Sequence, residues 1–356
     1  MNWLNYLASQ ARKESEVRVY TMEASGEFEK YKPPSSTINI IRSGNSKGKN
    51  PILRYWKYFG FYASVSRNLN SWKPDTVMYY ETLSAYPAYI HRKLLANQCR
   101  LGIHYHEYTS IREYQKGMFI NRLGHLLEKK LYPLANWISH SNEDRMRLFL
   151  ADNKSTRISN TYILPNYPPQ SWKVDKSEKT LSMPVKFVYV GALSLETMYL
   201  KEFANWIIQQ DGRATWDIYS DNITEDAKVF LKSLNPELVR FQDRVNYFRL
   251  PGILRNYHTG VILYNGHIPN YIFNAPNKLF EYWACGLDVW FPEIMKSTMF
   301  YATRDSYPKV IPVNFERMTS YDLDVLTDRS ELQYKPSSYY CEPEFEKLLN
   351  QYIACL

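Results

Sequence analysis

A lysine and a glutamate close together in the last third of the chain could act on a charged sugar ligand. Lys278 and Glu281 lie in NAPNKLFEYWACGLDVW, residues 274–290. The pattern predicts a loop, a helix that begins at Pro276 and ends at Gly286, and a strand. One helical turn apart, the carboxylate can accept hydrogen bonds from two sugar hydroxyls, and the lysine, beside the helix N-terminus, suits a phosphate. The alternative is a surface ion pair worth roughly 0.2–0.5 kcal/mol.

Two histidines and a glutamate at the end of an apolar run form a second candidate site. In LGIHYHEYTS, strand alternation places His104 and His106 on the same side, and Glu107 follows. At a strand end, an imidazole can donate to a sugar hydroxyl or to a developing phosphate charge. A metal site and a pair of satisfied core histidines stay open as alternatives, although no third histidine stands nearby at metal-like spacing.

Uncharged polar residues fill the loop before the Lys278 segment. Such groups suit a neutral sugar ring, and the loop offers Asn265, Gly266, His267, Asn270 and Asn274. Asn274 could instead cap the coming helix, and Gly266 could serve only a tight turn. The triplet Asp322-Leu323-Asp324 has the form of a metal-binding DxD motif, but its polar neighbours favour a solvated loop or a helix start.

Alternating strands and helices must carry these residues. Six strands are predicted in the first half, in VRVYTM, TINIIRS, TVMYYE, LGIHYHE, NWISHS and TYILPN, and further strands in KFVYVG, TWDIYS, VNYFRL and GVILYNG. Helical spacing between them, as in residues 111–134, predicts parallel sheets covered by helices. A Pro- and Lys-rich linker near residue 175 separates two αβα domains. We expect an N-terminal domain of residues 1–172, a C-terminal domain of residues 173–340, and a helix in 341–356 that returns to the first.

Composition narrows the class of protein. The 356 residues are 45% hydrophobic and 22% charged, as in folded proteins. No apolar run reaches the roughly 18 residues that cross a bilayer, and the start does not read as a secretory signal. Four scattered cysteines fit a reducing cytosol. Residues 1–170 hold 24 Lys and Arg against 13 Asp and Glu, a net +11, while the rest of the chain is at −3. The basic half suggests an anionic partner.

Much of this positive charge lies on the predicted helix of residues 111–134. The basic residues are Arg112, Lys116, Arg122, Lys129 and Lys130, among Met118, Phe119, Ile120, Leu126 and Leu127; further ones are His91-Arg92-Lys93, Lys47 and Lys49. A basic amphipathic helix can lie on an anionic leaflet, so we expect a cytoplasmic protein peripheral to the inner face of the cytoplasmic membrane. The alternative is a solvated helix packed on its own domain. Nucleic acid is not an expected partner, since no signature of its recognition accompanies the charge.

The segment 276–287, PNKLFEYWACGL, resembles the donor-site helix of retaining glycosyltransferases with the GT-B fold. In that family a K-L-x-E-(Y/A)-x-A-x-G-x-P-V helix follows a loop at the nucleotide-sugar site. Other family landmarks follow the same order along the chain: His106-Glu107, Ile138-Ser139-His140-Ser141, Leu164-Pro165-Asn166-Tyr167-Pro168 and Tyr189-Val190-Gly191-Ala192-Leu193. The resemblance implies an α/β chain with two Rossmann-like αβα domains facing a central cleft.

The resemblance also implies the roles of particular residues. Glu281 would hold the nucleotide ribose, and Lys278 with the helix N-terminus would meet the diphosphate. The implied donor-binding residues are Gly191, Ala192, Asn274, Asn277, Lys278, Leu279 and Glu281. The expected acceptor-binding residues are His104, His106 and Glu107, and the expected catalytic ones are His106, Lys278 and Glu281. No metal and no cofactor is expected besides the nucleotide-diphosphate sugar as co-substrate.

The chain departs from the family pattern in four ways. Phe273 stands where the family often has the first Glu of a Glu-x7-Glu pair, and Asp288 stands where it has Pro. In the family, the turn after the glycine that matches Gly191 carries an Arg and, a few residues on, a Lys. Here these places fall on Ala192 and on Thr197 or Met198, and the only lysine nearby is Lys201. The first strand with its glycine-rich turn is absent or divergent.

The resemblance implies a metal-independent hexosyltransferase. It would move a sugar to a glycan or lipid-linked saccharide in surface polysaccharide synthesis, such as capsule or O-antigen, as many bacterial members of the family do. Two alternatives remain open. A sugar-nucleotide epimerase would need acid and base carboxylates, for which the sequence shows no convincing spacing. A non-catalytic sugar- or nucleotide-binding protein would fit the missing Arg, Lys and first Glu.

Overall fold

The chain forms two compact units in a computed structural model. One unit comprises Met1–Pro165 with Cys341–Leu356, and the other comprises Asn166–Tyr340. The structure describes residues 1–10, 15–22, 31–43, 51–95, 98–154, 156–175, 182–220 and 222–352. Lys47, Lys49 and residues 176–181 of the predicted linker lie outside the described residues.

The boundary between the units falls after Pro165, before the expected end of the first domain at residue 172. Apolar packing explains the difference. The ring of Tyr167 lies 4.5 Å from that of Phe280, and the ring of Trp172 lies 4.9 Å from that of Tyr247. Both aromatic residues therefore pack against the core of the second unit.

The described helices and strands of the first unit alternate along the chain. In order they are α1 (Asn2–Gln10), β1 (Val17–Thr21), β2 (Ile38–Arg42), α2 (Pro51–Trp72), β3 (Thr76–Tyr80), α3 (Ala85–Tyr89), a π-helix (Ile90–Leu94), β4 (Arg100–Tyr105), α4 (Ile111–Lys116), α5 (Phe119–Leu131), β5 (Trp137–His140), α6 (Glu143–Asp152), β6 (Thr161–Ile163) and, after the second unit, a helix over Cys341–Tyr352. That last helix packs on α1, where the Phe345 ring lies 4.9 Å from the Trp3 ring.

The strands of the first unit form two parallel sheets. β1 pairs with β2, and β3, β4, β5 and β6 pair in that order. Each strand coincides with one of the six runs predicted in the first half of the sequence, so that prediction is confirmed. The inner strand β4 places Leu101, Ile103 and Tyr105 in the apolar core. Tyr80 and His104 are register partners, so the carboxyl ends of β3 and β4 lie side by side.

The segment 111–134 is two α-helices, where the spacing predicted one continuous amphipathic helix. Ser110 and Glu113 form a reciprocal capping box at the start of α4. Gly117 then takes an extended conformation, φ −74° and ψ −177°, and ends α4. The helical path is interrupted there, and α5 begins anew at Phe119. The apolar and basic sides of α4 and α5 therefore do not form one continuous stripe.

The second unit also alternates strands and helices. The described elements are β7 (Val185–Val190), α7 (Leu200–Gln209), β8 (Ala214–Tyr219), α8 (Glu225–Lys232), β9 (Val239–Gln242), α9 (Leu250–Leu254), β10 (Thr259–Val261), α10 (Pro269–Ile272), α11 (Asn277–Ala284), β11 (Asp288–Pro292), α12 (Lys296–Met299), β12 (Val310–Val313) and α13 (Leu323–Thr327). The final helix of the first unit, Cys341–Tyr352, is α14.

The sheet of the second unit reverses its direction of growth at β7. The strands are parallel in the order β12, β11, β10, β7, β8, β9. Successive strands are thus added first on one side of β7 and then on the other. In open parallel sheets, such a switch point opens a crevice at the carboxyl ends of the two strands and is the usual place for a ligand. Here those two ends belong to β7 and β10.

Two predictions about the second unit are wrong. VNYFRL forms a 3-10 turn over Tyr247–Arg249 followed by α9, and the strand lies earlier, at β9. The Asn246 side chain accepts a hydrogen bond from the Phe248 amide, and Pro251 falls in the first turn of α9, so both residues favour a helical start. Pro276 is the residue before α11 and not its first helical residue.

Candidate active site

Gly191 follows β7 directly, at the switch point of the second sheet. Its φ of +140° is strained for any residue with a side chain. A Cβ built on Gly191 would lie 2.9 Å from the Lys278 Nζ atom and 3.5 Å from the Tyr189 hydroxyl. The glycine thus lets the lysine of α11 approach the backbone at the end of β7. The structure therefore places next to each other two residues that the resemblance assigned to one site.

Two tyrosines surround the Lys278 ammonium group. Its Nζ lies 5.1 Å from the ring centroid of Tyr189 and 5.3 Å from that of Tyr264, and it donates a hydrogen bond of 3.4 Å to the Tyr264 hydroxyl. Burial alone would lower the pKa of Lys278, but the neighbouring phenols outweigh burial and hold that pKa above its ordinary value. The lysine is therefore a fixed positive charge beside the switch point. The sequence analysis named Tyr189 only within a family landmark and missed Tyr264. Each tyrosine lies near the end of a strand flanking this point.

Glu281 lies one turn further along α11 and is 8% exposed. Among the residues that the structure describes, none donates a hydrogen bond to its carboxylate. Burial raises the pKa of Glu281 to about 7, against the opposing charge of Lys278. Buried carboxylates in proteins nearly always have hydrogen-bond donors, so this arrangement suits a ligand that brings hydroxyl groups.

Core packing fixes the orientation of α11. Leu279 and Tyr282 are fully buried, and the Tyr282 hydroxyl accepts a hydrogen bond of 3.0 Å from the Val190 amide at the end of β7. Gly260 makes room for this ring, since a Cβ there would lie 2.1 Å from it. The helix ends at Ala284 with Cys285 as its C-cap, and Gly286 follows with a φ of +78°, which confirms the predicted left-handed residue. Leu279, an expected donor-binding residue, has its side chain in the core.

The remaining expected donor residues lie around α11 and β7. Ala192 accepts a hydrogen bond of 2.6 Å from the Tyr189 hydroxyl through its carbonyl oxygen. Asn277 is the exposed first residue of α11. Asn274 is buried and does not cap the helix; its carbonyl oxygen accepts a hydrogen bond of 2.7 Å from the Thr298 hydroxyl.

Two acidic positions singled out in the sequence lie outside this site. Asp288 begins β11, at the amino end of the sheet, and accepts hydrogen bonds from the Lys309 amide at 2.7 Å and from the Arg329 Nε at 3.1 Å. The residue in place of the family's proline therefore holds a buried ion pair. Asp322 caps α13 and accepts a hydrogen bond from the Asp324 amide, which confirms the predicted helix start.

The first unit brings its two candidate histidines together at the carboxyl end of β4. The His104 Nδ1 lies 2.9 Å from the Ser139 hydroxyl, which donates to the Ile103 carbonyl at 3.1 Å. This assigns the proton of His104 to Nδ1, so its Nε2 accepts from the His106 Nδ1 at 3.3 Å. Burial, and then the charge of His106, lowers the pKa of His104 well below its ordinary value. His104 is a neutral, buried support for His106, which is exposed.

Glu81, which the sequence reasoning missed, holds the segment that carries His106. It follows β3 with φ +59°, and its carboxylate accepts hydrogen bonds from the His106 amide at 2.7 Å and the Glu107 amide at 3.3 Å. Burial raises the pKa of Glu81 to about 7. Arg145 and the Ser141 hydroxyl donate to the His106 carbonyl oxygen from the other side. The signal in the sequence was an acid directly after a strand that neighbours β4.

The described ranges contain neither a metal-binding cluster nor a membrane-spanning helix. No group of three or more His, Cys, Asp or Glu among these residues is arranged to hold a metal ion. No helix within them combines the length and hydropathy needed to cross a bilayer.

Comparisons with known proteins show the fold. No family model and no curated protein matches the sequence. Among solved structures, Anabaena HepE in complex with UDP has a TM-score of 0.61 at 13% identity, covering 99% of this chain and 91% of that chain. The lipopolysaccharide outer core galactosyltransferase WaaB has a TM-score of 0.57 at 14% identity, covering 89% and 85%. A putative UDP-N-acetylglucosamine 2-epimerase from Listeria monocytogenes has a TM-score of 0.53 at 10% identity, covering 94% and 95%. The chain has the GT-B fold, as the resemblance implied.

Proposed function

We propose that the protein is a retaining glycosyltransferase that takes its sugar from a nucleotide diphosphate. The observation that carries the proposal is the pair of Lys278 and Glu281 at the switch point of the second sheet. A fixed positive charge and a buried carboxylate without a donor lie there within one helical turn. A sugar nucleotide offers a diphosphate for the first and ribose hydroxyls for the second. The names of two structural neighbours, a galactosyltransferase and a protein bound to UDP, agree with this ligand.

The reaction we propose breaks the bond between the sugar and the diphosphate. The bonding electrons leave with the diphosphate oxygen, and the acceptor hydroxyl forms the new bond on the same face of the sugar. Lys278 and the Ala192 amide stabilise the departing charge. The Gly191 amide already donates a hydrogen bond of 3.0 Å to the Tyr219 carbonyl oxygen. The departing phosphate takes the acceptor proton, so no separate protein base is required. No metal or further cofactor enters this scheme.

The acceptor side of the proposal lies in the first unit. The exposed His106 donates to or accepts from an acceptor hydroxyl, with His104 behind it and Glu107 beside it. We propose a glycan or lipid-linked saccharide as acceptor, in surface polysaccharide synthesis at the inner face of the cytoplasmic membrane. The support is the galactosyltransferase neighbour and the basic first half of the chain.

A panel of nucleotide sugars, with and without saccharide acceptors, tests the proposal. We expect release of nucleoside diphosphate with one donor and a product of retained configuration. Lys278→Met should lower turnover by about 100-fold or more, since it removes the charge that stabilises the leaving group. Lys201→Met is the matched control, because Lys201 is the exposed lysine near the turn where the family has one. Equal loss in both variants, or none in either, would contradict the assignment.

An epimerase is the second candidate, favoured by the epimerase neighbour and by two carboxylates with raised pKa, Glu81 and Glu281. The same panel distinguishes it, since an epimerase isomerises the donor without any acceptor. A binding protein without activity would retain affinity for one nucleotide sugar and turn over none.

A further inference from the structure

Large apolar side chains are exposed on three helices of the first unit. On α2, Trp56 is 70% exposed, and on α5, Phe119 is 64% exposed. The full set, called the apolar ridge below, is Ile52, Leu53, Trp56, Phe59, Leu94, Leu95, Phe119, Leu123 and Leu126. On both α-helices the spacing is that of one helical stripe. Large exposed apolar side chains grouped on neighbouring helices mark an interaction surface.

The helices of the apolar ridge are packed together by their other faces. The rings of Tyr62 on α2 and Tyr86 on α3 stack at 4.5 Å, and the Tyr86 hydroxyl donates a hydrogen bond of 2.7 Å to the Ile120 carbonyl of α5. At the helix starts, Arg54 donates to the Met118 sulfur at 3.0 Å. These contacts hold the helices together, and none of them involves a side chain of the apolar ridge.

The charges on these helices all have one sign where they reach the surface. The basic residues of α2, the π-helix and α5 are Arg54, Lys57, Arg67, Arg92, Lys93, Arg122, Lys129 and Lys130. α2 has no acidic residue, and the acidic residue of α5, Glu128, is fully buried. Helices that lie in a bilayer interface typically combine Trp, Phe and Leu with Lys and Arg and expose no acidic residue.

We infer that the apolar ridge docks on the surface of an anionic phospholipid bilayer. The ridge side chains enter the boundary of headgroups and acyl chains, and the flanking lysines and arginines contact lipid phosphates. α2 supplies the larger share of the apolar contact, whereas the sequence had indicated only the segment of α5. A second copy of the chain fits less well, because a symmetric contact would bring the same positive charges face to face.

The buried carboxylate of Glu128 connects α5, one of the ridge helices, to the proposed acceptor side of the unit. The Tyr105 hydroxyl, at the end of β4, donates to Glu128 of α5 at 2.6 Å, and the Thr82 hydroxyl, next to Glu81, donates to it at 3.0 Å. The inference assigns a surface to the membrane contact of the proposed function. The ridge contains none of the donor-site residues. A loss of vesicle binding and a loss of donor turnover are therefore distinguishable results.

Vesicle co-sedimentation of the full chain tests the inference. The probes are phosphatidylcholine vesicles with and without phosphatidylglycerol, at about 0.1 M and about 1 M salt, where the screening length falls from about 10 Å to about 3 Å. We expect binding to anionic vesicles only, weakened by salt. Trp56→Gln with Phe119→Gln should reduce binding at least about tenfold. Phe300→Gln is the matched control, since Phe300 is an 82% exposed aromatic of the second unit.

Each outcome bears on the inference. Because Trp56 and Phe119 are exposed, the double variant should keep the wild-type circular dichroism and melting temperature. Equal binding of the double variant and the control, or no binding to anionic vesicles, would overturn the inference. A dimer in sedimentation velocity that the double variant dissolves would assign the ridge to a second copy instead. Unchanged donor hydrolysis in the double variant would show that any loss is confined to the ridge.

Discussion

Replacing Glu281 by glutamine should stabilise the protein while weakening its ligand binding. The pKa of this carboxyl is raised by burial from an ordinary 4.5 to about 7. A carboxyl whose pKa is raised by folding favours the native state only while it is protonated. Its contribution is lost as pH rises from about 4.5 to about 7, and above that the native state carries a cost on the order of 3 kcal/mol. Glutamine removes the charge but leaves an amide without partners, which costs about 1–2 kcal/mol.

The net expectation is a gain of about 1–2 kcal/mol near pH 8 and a loss of about 1–2 kcal/mol near pH 4, where the Glu281 carboxyl is already neutral. For a unit of this size, that gain raises the melting temperature by roughly 2–8 °C. Glutamine cannot accept the charge-assisted hydrogen bonds of two ribose hydroxyls, so affinity for UDP should fall about 10- to 100-fold. The melting temperature is measured across pH, and the affinity by calorimetry. Glu237→Gln, at an exposed carboxylate of the same unit, is the control.

Two results would contradict these expectations for Glu281. A Glu281→Gln variant that is less stable than the wild type at pH 8 would mean that its carboxylate has donors inside the folded protein. A stabilised variant with unchanged affinity for UDP would mean that the buried carboxylate is real but does not meet the ligand.

Two further substitutions test the surroundings of each site. Gly191→Ala should weaken UDP binding by about tenfold or more, because its methyl group would approach the Lys278 Nζ to 2.9 Å at a φ of +140°; calorimetry measures the loss, and normal affinity would contradict it. Glu81→Ala should lower kcat with little change in donor KM, since two amides of the His106 segment lose their acceptor; Glu81→Gln, which keeps one acceptor oxygen, should recover part of the activity, and a pure change in donor KM would oppose this role.

The strands and α11 could be predicted because their signals are local. The six strands of the first half are short apolar runs between residues that break strands. α11 carries Lys278 and Glu281 three residues apart, and Gly286 follows the end of the helix. VNYFRL shows the limit of this approach. Its aromatic and β-branched residues fit a strand, but Asn246 and Pro251 start helical turns there, and the strand β9 precedes it.

The rest depends on contacts between distant parts of the chain. Glu81 acquires its role only when β3 and β4 pair, and Tyr189 and Tyr264 meet Lys278 only because the sheet switches direction at β7. The part of the apolar ridge that lies on α2 was also invisible in the sequence. Trp56 and Tyr62 are both aromatic residues of α2, and only the packing of Tyr62 on α3 decides which of them stays exposed.

A crystal structure with bound UDP is the most direct test of the central claim. We expect the diphosphate within hydrogen-bonding distance of Lys278 Nζ and beside the Ala192 amide, with a ribose hydroxyl donating to Glu281. A nucleotide bound anywhere else, or held at this place by neither side chain, would contradict it.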